Sequence, residues 1–257
     1  MNNIFDSHAH YDDEAFDQDR LEVLSALPSQ GICGVINCAS DKESSRSSIK
    51  LSENFSFVFA ACGIHPHSAG ALAITNIDTE LISFFSHNKC VAIGEIGLDY
   101  HYDFSPREIQ KQLFEAQLTL AKELNLPVIV HDREAHEDIL VLLKKYKPQG
   151  VIHCFSGSVE MAEEIVNLGM HIGLGGAVTF KNARKPLEVA RFVPAERLLI
   201  ETDCPYMSPV PFRGTRCTSA LIPYTAEKIA EGRGISLQAL LDLTAKNANE
   251  LFKITEA

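Results

Sequence analysis

Residues 150–169, GVIHCFSGSVEMAEEIVNLG, hold one complete structural unit. A short apolar run, GVIHCFS (150–156), passes through Ser-Gly into an amphipathic run, SVEMAEEIVNLG (158–169), that stops on a glycine. That is strand, turn, helix and helix stop in chain order. The same alternation runs outward in both directions. The apolar runs are NIFDSHAH (3–10), GICGVINCA (31–39), SFVFAACGIH (56–65), VAIGEIGL (91–98), PVIVHD (127–132), GVIHCFS (150–156), MHIGLGG (170–176) and LLIETDCP (198–205). They are rich in Val, Ile, Leu and Ala without strict alternation, as strands buried on both faces are. Eight strand–helix repeats with no linker and no break in composition predict an α/β fold, a parallel (β/α)₈ barrel of TIM type forming a single domain over 1–257. The tail SLQALLDLTAKNANELF (236–252) is expected to add a closing helix. A doubly wound open sheet is the competing architecture, but its phosphate-binding glycine loop after the first strand is absent.

The fourth linking segment, SPREIQKQLFEAQLTLAKELN (105–125), is the clearest helix. Ile109, Leu113, Ala116, Leu120 and Leu124 form an apolar stripe at helical spacing. Ser105, Pro106 and Glu108 read as N-cap, first-turn proline and capping box.

With 257 residues, 46% hydrophobic and 22% charged, the composition is that of a soluble globular chain. No apolar run is long enough to span a bilayer, and no secretory leader is legible, so a cytoplasmic protein without membrane contact is expected. The seven scattered cysteines form no CxxC pair and read as reduced, mostly buried thiols. The formal net charge of −11 argues against holding long duplex by phosphate neutralisation. It leaves room for a nucleic-acid substrate, because bound cations can supply local positive charge.

In a barrel of this kind, chemistry gathers at the C-terminal ends of the strands. His8 and His10 end strand 1, His65 ends strand 3, Glu95 is late in strand 4, His131 ends strand 5, His153 is late in strand 6 and Asp203 ends strand 8. Residues two apart on a strand face the same way, so His8 and His10 form a chelating pair. Glu95, inside AIGEIGL, is no core filler, since an unpaired buried carboxylate costs several kcal/mol. Four imidazoles (His8, His10, His131, His153) and two carboxylates (Glu95, Asp203) exceed the needs of one tetrahedral ion. They suit two ions sharing a carboxylate bridge. Glu95 is the expected bridge, with His8, His10 and Asp203 on one ion and His131 and His153 on the other. Such donors fit two divalent ions, Zn²⁺, Mn²⁺ or Mg²⁺. Glu201 lies one layer deeper and is expected to hold a neighbouring ligand in place. His65 is a candidate substrate contact. His87, His101 and His171 read as surface or helix-end residues, and His136 as facing water.

With these residues assembled, the sequence resembles the TatD family of metal-dependent hydrolases and deoxyribonucleases, among the amidohydrolase-like barrels. DSHAH, GIHPH, GEIGLDY, LPVIVHDREA, IHCFSGS, ETDCPYMSP and NANELF carry the resemblance, in family order across nearly the whole chain. The family's metal positions map onto His8, His10, Glu95, His131, His153 and Asp203. The resemblance implies metal-dependent hydrolysis of phosphodiester bonds in DNA, for some members as a 3′→5′ exonuclease on single strands. In that reading a water activated by two metals attacks phosphorus, Asp203 is general base, Glu95 bridges the ions, and Arg133 and Arg213 grip phosphate. The expected partner is a transient DNA substrate or a small phosphoester, met by a monomer. One departure stands out. Cys217-Thr218-Ser219 replaces the family's Asn-Glu-Pro, in a loop expected to border the cleft. An amidohydrolase, lactonase or phosphotriesterase acting on a small molecule through the same binuclear site remains the alternative, and a metal-stabilised scaffold a third reading.

Overall fold

The structure, a computed structural model, describes residues 1–71, 77 and 79–254. Its strands are β1 (Ile4–Ala9), β2 (Ile32–Cys38), β3 (Val58–Cys62), β4 (Cys90–Asp99), β5 (Val128–Arg133), β6 (Gly150–Ile152), β7 (His171–Leu174) and β8 (Leu198–Ile200). They form one sheet in sequence order, each parallel to the next. The intervening helices are α1 (Arg20–Ala26), α2 (Lys42–Asn54), α3 (Thr79–Phe84), α4 (Arg107–Leu124), α5 (His136–Tyr146), α6 (Val159–Asn167) and α7 (Arg184–Phe192). Two more, α8 (Ile222–Arg233) and α9 (Leu237–Leu251), follow β8. This is a nearly closed (β/α)₈ barrel, and the open-sheet alternative is excluded.

Backbone closure between the first and last strands happens at the rim. Ala9 bridges Cys204, the Asp203 N–H donates to the His8 carbonyl (3.0 Å) and the His10 N–H to the Cys204 carbonyl (2.8 Å). The seam of the barrel is therefore stitched by the backbone of the very residues that carry donors. Below it, Phe5, Ile36, Cys38, Ala61, Ala92, Ile129, Val151 and Leu199 fill the interior. The expected closing helix α9 adds Ala245, Ala248, Leu251 and Phe252 to this cluster, and its Ser236 cap accepts from the Ala239 N–H (3.2 Å). A packed interior leaves the rim as the place for a polar site.

Several strands are shorter than the apolar runs suggest. Residues 201–205 lie beyond β8, 153–156 beyond β6, 175–176 beyond β7, and 63–65 beyond β3. At the rim the backbone leaves the ladder to bond side chains and loops, so apolar character outlasts strand geometry. The α4 expectation also changes. Pro106 occupies the cap position with no side-chain cap, and Ser105 Oγ instead donates to the His67 carbonyl (3.0 Å) and accepts from the Gly70 N–H (2.8 Å). The buried face runs Gln110, Leu113, Phe114, Gln117, Leu118, Ala121, while Leu124 is exposed. Two glutamines turn inward because each clamps a strand's exit. Gln110 bonds the Asp99 N–H (2.8 Å) and carbonyl (3.1 Å), and Gln117 the Ile64 N–H (2.8 Å) and carbonyl (3.0 Å). The seven cysteines are thiols rather than disulfides, with Cys33 exposed and Cys154 half-buried. His171 is buried at the start of β7 rather than on the surface.

Candidate metal centre

Glu95 stands at the middle of the rim, 3% exposed, with its two oxygens turned to different partners. Oε2 lies 3.2 Å from His8 Nε2 and 3.5 Å from His10 Nε2. Oε1 lies 2.7 Å from His131 Nδ1, 2.8 Å from His153 Nε2 and 3.5 Å from His65 Nε2. Asp203 Oδ1 completes the first group, 3.3 Å from His10 Nε2 and 3.7 Å from His8 Nε2. The chain thus brings all six expected donors together, and groups the other five about the two oxygens of Glu95.

Local backbone explains the aim of each side chain. The β1–β2 register slips between Asp6 and Ala9, so Phe5 lies in the inner cluster and His8, an odd number of residues on, faces inward too. His10 is one residue past β1, held by Nδ1 against the Cys38 carbonyl at 2.8 Å. The β4–β5 register slips around Glu95, between Ile93 and Ile96. Two residues on, Gly97 has φ +145°, and a Cβ there would sit 2.0 Å from the His131 carbonyl oxygen. Glycine is required where β5 approaches this closely. Asp203 does not end a strand, as expected from the apolar run. It sits past β8 with φ +60°, and Cys154, next to His153, has φ +43°. Non-glycine residues in this region are uncommon and concentrate where a side chain must be aimed.

Asp99 is the residue the sequence reading passed over. It is fully buried. Oδ2 accepts from His131 Nε2 (3.1 Å) and His67 Nε2 (2.8 Å), and Oδ1 from the N–H groups of His101 (3.0 Å) and Tyr102 (2.9 Å). A carboxylate on one imidazole nitrogen leaves the other free as a ligand, so His131 presents Nδ1 to the centre. Its sequence signal was a second charged residue, four after Glu95, at the very end of an otherwise apolar strand. Glu201 is buried one layer down, as expected. It accepts from the Cys154 N–H and from Ser7 Oγ (3.4 Å), with Oε1 3.7 Å from His153 Nδ1.

The electrostatics suit cations. Burial pulls Glu95 upward, but His153, His8 and His65 outweigh it and hold its carboxyl well below the usual range. Asp203 is lowered too, against burial, by His10, His8 and His153. Burial works against protonation of His10, yet Asp203 and Glu95 raise it to about 10. Asp99 and Glu95 likewise lift His131, against burial, to about 9. Burial takes His8 and His65 down to about 4. Meanwhile His8 Nε2 and His10 Nε2 face each other at 3.0 Å, and His131 Nδ1 and His153 Nε2 at 3.3 Å. Ionised carboxylates among converging imidazoles fit divalent ions, which release those protons on binding. His8, His10, Glu95 Oε2 and Asp203 Oδ1 could hold one ion; Glu95 Oε1, His131 Nδ1 and His153 Nε2 could hold a second.

The other expected contacts are more scattered. His65 lies past β3 but joins the cluster through Glu95, and its Nδ1 accepts from the His67 N–H (3.2 Å). Arg133 stands exposed at the end of β5, its guanidinium carbon 5.2 Å from the Tyr102 ring centre. Arg213 is exposed on the loop after β8, 3.8 Å over Phe180 and bonded to the Ser208 carbonyl (3.1 Å). Neither belongs to the cluster. The segment Cys217–Ser219 lies against the residues that follow Asp203, the Cys217 N–H donating to the Pro205 carbonyl (2.9 Å). Cys217 and Ser219 are buried, and Ser219 Oγ donates to Asp6 Oδ2 (2.7 Å) and meets Tyr11 OH (2.8 Å) beside β1. His136 faces Asp132 (2.8 Å).

The family model described as TatD related DNase matches residues 5–253. An uncharacterized metal-dependent hydrolase of Bacillus subtilis, YabD, is 42% identical, the match covering 98% of this chain and 99% of that one. The 3′-5′ ssDNA/RNA exonuclease TatD of Salmonella typhimurium is 34% identical over 98% of this chain and 99% of its own. Among solved structures, YjjV, a TatD homologue of Escherichia coli K12, superposes with a TM-score of 0.88 at 30% identity, covering 98% of this chain and 99% of that one.

Proposed function

We propose that this chain, a metal-dependent hydrolase that belongs to the family of TatD-related DNases, shortens single-stranded nucleic acid from an end by two-metal hydrolysis of its phosphodiester bonds. The observation that carries the two-metal part is the division of Glu95, with Oε2 toward His8 and His10 and Oε1 toward His131 and His153. The substrate part is supported by the Salmonella relative's activity on single-stranded DNA and RNA. A net charge of −11 is compatible with it, because the ions, not a basic surface, would meet the phosphate.

When bound, the ions would supply Lewis acidity, lowering the pKa of a water towards ~7 and offsetting phosphoryl charge. The rest falls to the chain's own groups. His8, His10, His131, His153 and Glu95 set the spacing of the pair. Asp203 Oδ1 faces His8 and His10, while Oδ2 has Cys154 Sγ as a neighbour at 3.9 Å. Oδ2 is then the oxygen that takes the nucleophile's proton as general base. His65 accepts at Nδ1 from backbone, which leaves its proton on Nε2, aimed into the centre as a donor. Asp99 holds His131 in the ligating tautomer. Arg133 and Arg213, outside the cluster, would serve outlying phosphates.

The test is direct. Protein stripped with a chelator and reloaded with Mn²⁺, Mg²⁺ or Zn²⁺ is incubated with 5′- and with 3′-labelled single strands. Metal-dependent loss of nucleotides from one end supports the reading. Nucleic acid left intact with every metal, while esters, lactones or phosphotriesters are hydrolysed, would move the substrate to a small molecule.

A further inference from the structure

We propose that Tyr102 and Phe104, on the loop between β4 and α4, form a shelf on which a nucleobase of the strand stacks beside the metal centre. This rests on the nuclease reading and names the part of the substrate that the rim recognises. The two rings are 50% and 68% exposed. They stack on each other, centroids 5.3 Å apart and planes 23° from parallel. Other exposed large apolar residues, such as Leu21, Val141 and Phe192, belong to the outer surfaces of α1, α5 and α7. This pair instead sits on the catalytic face.

Its position is tied to the centre by short links. His67 meets Phe104 edge-on at 4.9 Å and Tyr102 at 5.4 Å, and lies 4.3 Å from the His65 ring. The same Asp99 that holds His131 through Oδ2 holds the shelf's backbone through Oδ1, by the N–H of Tyr102 (2.9 Å). Ser105 Oγ pins the next turn to the His67 carbonyl (3.0 Å). A shelf anchored this way keeps its rings in place without a partner, so stacking on it loses little conformational freedom. Arg133, its guanidinium carbon over the Tyr102 ring at 5.2 Å, adds a cation for the phosphate attached to that base and leaves the outer face of Phe104 for the base itself.

The occupant follows from chemistry. Every base offers a π face, so an aromatic platform binds single strands without reading sequence. A chain with net charge −11 has little general attraction for a polyanion, which leaves stacking and the metal pair to hold it. A paired base inside a duplex could not reach the shelf, and a phosphoester without a base would have nothing to place there.

The experiment uses the full chain loaded with Mn²⁺. Substrates are a labelled oligothymidylate and the same strand with abasic residues at the end that is attacked. Tyr102→Ala with Phe104→Ala is expected to raise KM for the intact strand about 30-fold with a much smaller change in kcat, the loss of about one stacked base. The wild type should show a similar rise on the abasic strand, and the double variant should no longer tell the two strands apart. Tyr102→Phe with Phe104→Tyr, which keeps both rings, should restore KM. Should the double variant fold poorly, Phe104→Leu keeps apolar bulk without a ring and should show a smaller rise of the same kind. An unchanged KM in variants that cleave, or a wild type indifferent to the missing bases, overturns the shelf alone. A wild type that shortens no nucleic acid overturns the nuclease reading and the shelf with it.

Discussion

Replacing Asp99 with Asn is expected to harm metal binding more than deleting its side chain. Oδ1 of Asp99 accepts from two backbone N–H groups, those of His101 (3.0 Å) and Tyr102 (2.9 Å). Those donors cannot turn, so an asparagine must keep its oxygen there and aim its NH₂ at His131 Nε2 and His67 Nε2, where Oδ2 stood at 3.1 and 2.8 Å. A donor facing Nε2 drives the His131 proton onto Nδ1. That atom lies 2.7 Å from Glu95 Oε1 and 3.3 Å from His153 Nε2, and once protonated it cannot ligate. Loss of such a carboxylate partner costs about 10- to 100-fold in metal affinity. For Asp99→Asn the tautomer is wrong as well, so the upper end, about 2.7 kcal/mol, applies to the second ion. Alanine leaves room for water to accept from Nε2–H and should stay nearer about 10-fold. Competition with a chromogenic chelator gives the two dissociation constants, and urea unfolding corrects for stability. The reasoning fails if Asn binds both ions like the wild type, or if Ala is the more damaging change.

Gly97→Ala, with its Cβ 2.0 Å from the His131 carbonyl and φ at +145°, is expected to destabilise the fold by about 3 kcal/mol or more, visible as a large drop in Tm. A Tm within a degree or two of wild type would refute that. His171 is held down to about 4 by burial first and by Arg197. Its folded pKa lies below its unfolded value of about 6.5, so its contribution is intact above that pH and fades as pH falls towards 4. Between pH 7.5 and 5 this amounts to about 2 kcal/mol of lost stability. Urea titrations of wild type and His171→Gln should show the variant with a flatter acid limb, and parallel limbs would exclude the histidine as the cause. Chelation should abolish hydrolysis and lower Tm, while saturating Mn²⁺ at about 100 times Kd adds about 2.7 kcal/mol per ion. Hydrolysis that survives thorough chelation would contradict a metal-dependent step.

The barrel was legible because strands buried on both faces leave continuous apolar runs, and because the donors recur at the ends of those runs. HxH at β1, Glu95 in an apolar strand and His131 after PVIV are local signals. Asp99 was not legible as a positioning residue, since a charged residue at a strand exit also looks like the start of a loop. The apolar stripe read for α4 left out Gln110 and Gln117, which face inward. An apolar-stripe argument turns polar side chains to solvent, and here each finds backbone partners on another element. Cys217–Ser219 was expected beside the cleft because it follows the ETD motif, and its polar atoms are drawn to buried Asp6 and Tyr11.

By itself the sequence determined the repeating unit, the order of the donors and their kinds, because periods of two and 3.6 residues are written in neighbouring positions. Only the tertiary structure decided that one carboxylate divides its oxygens between two pairs of imidazoles, that His131 offers Nδ1, and that the seam closes at His8 and Asp203. Those choices depend on which hydrogen-bond partners arrive from strands distant in the chain, and no local pattern records them.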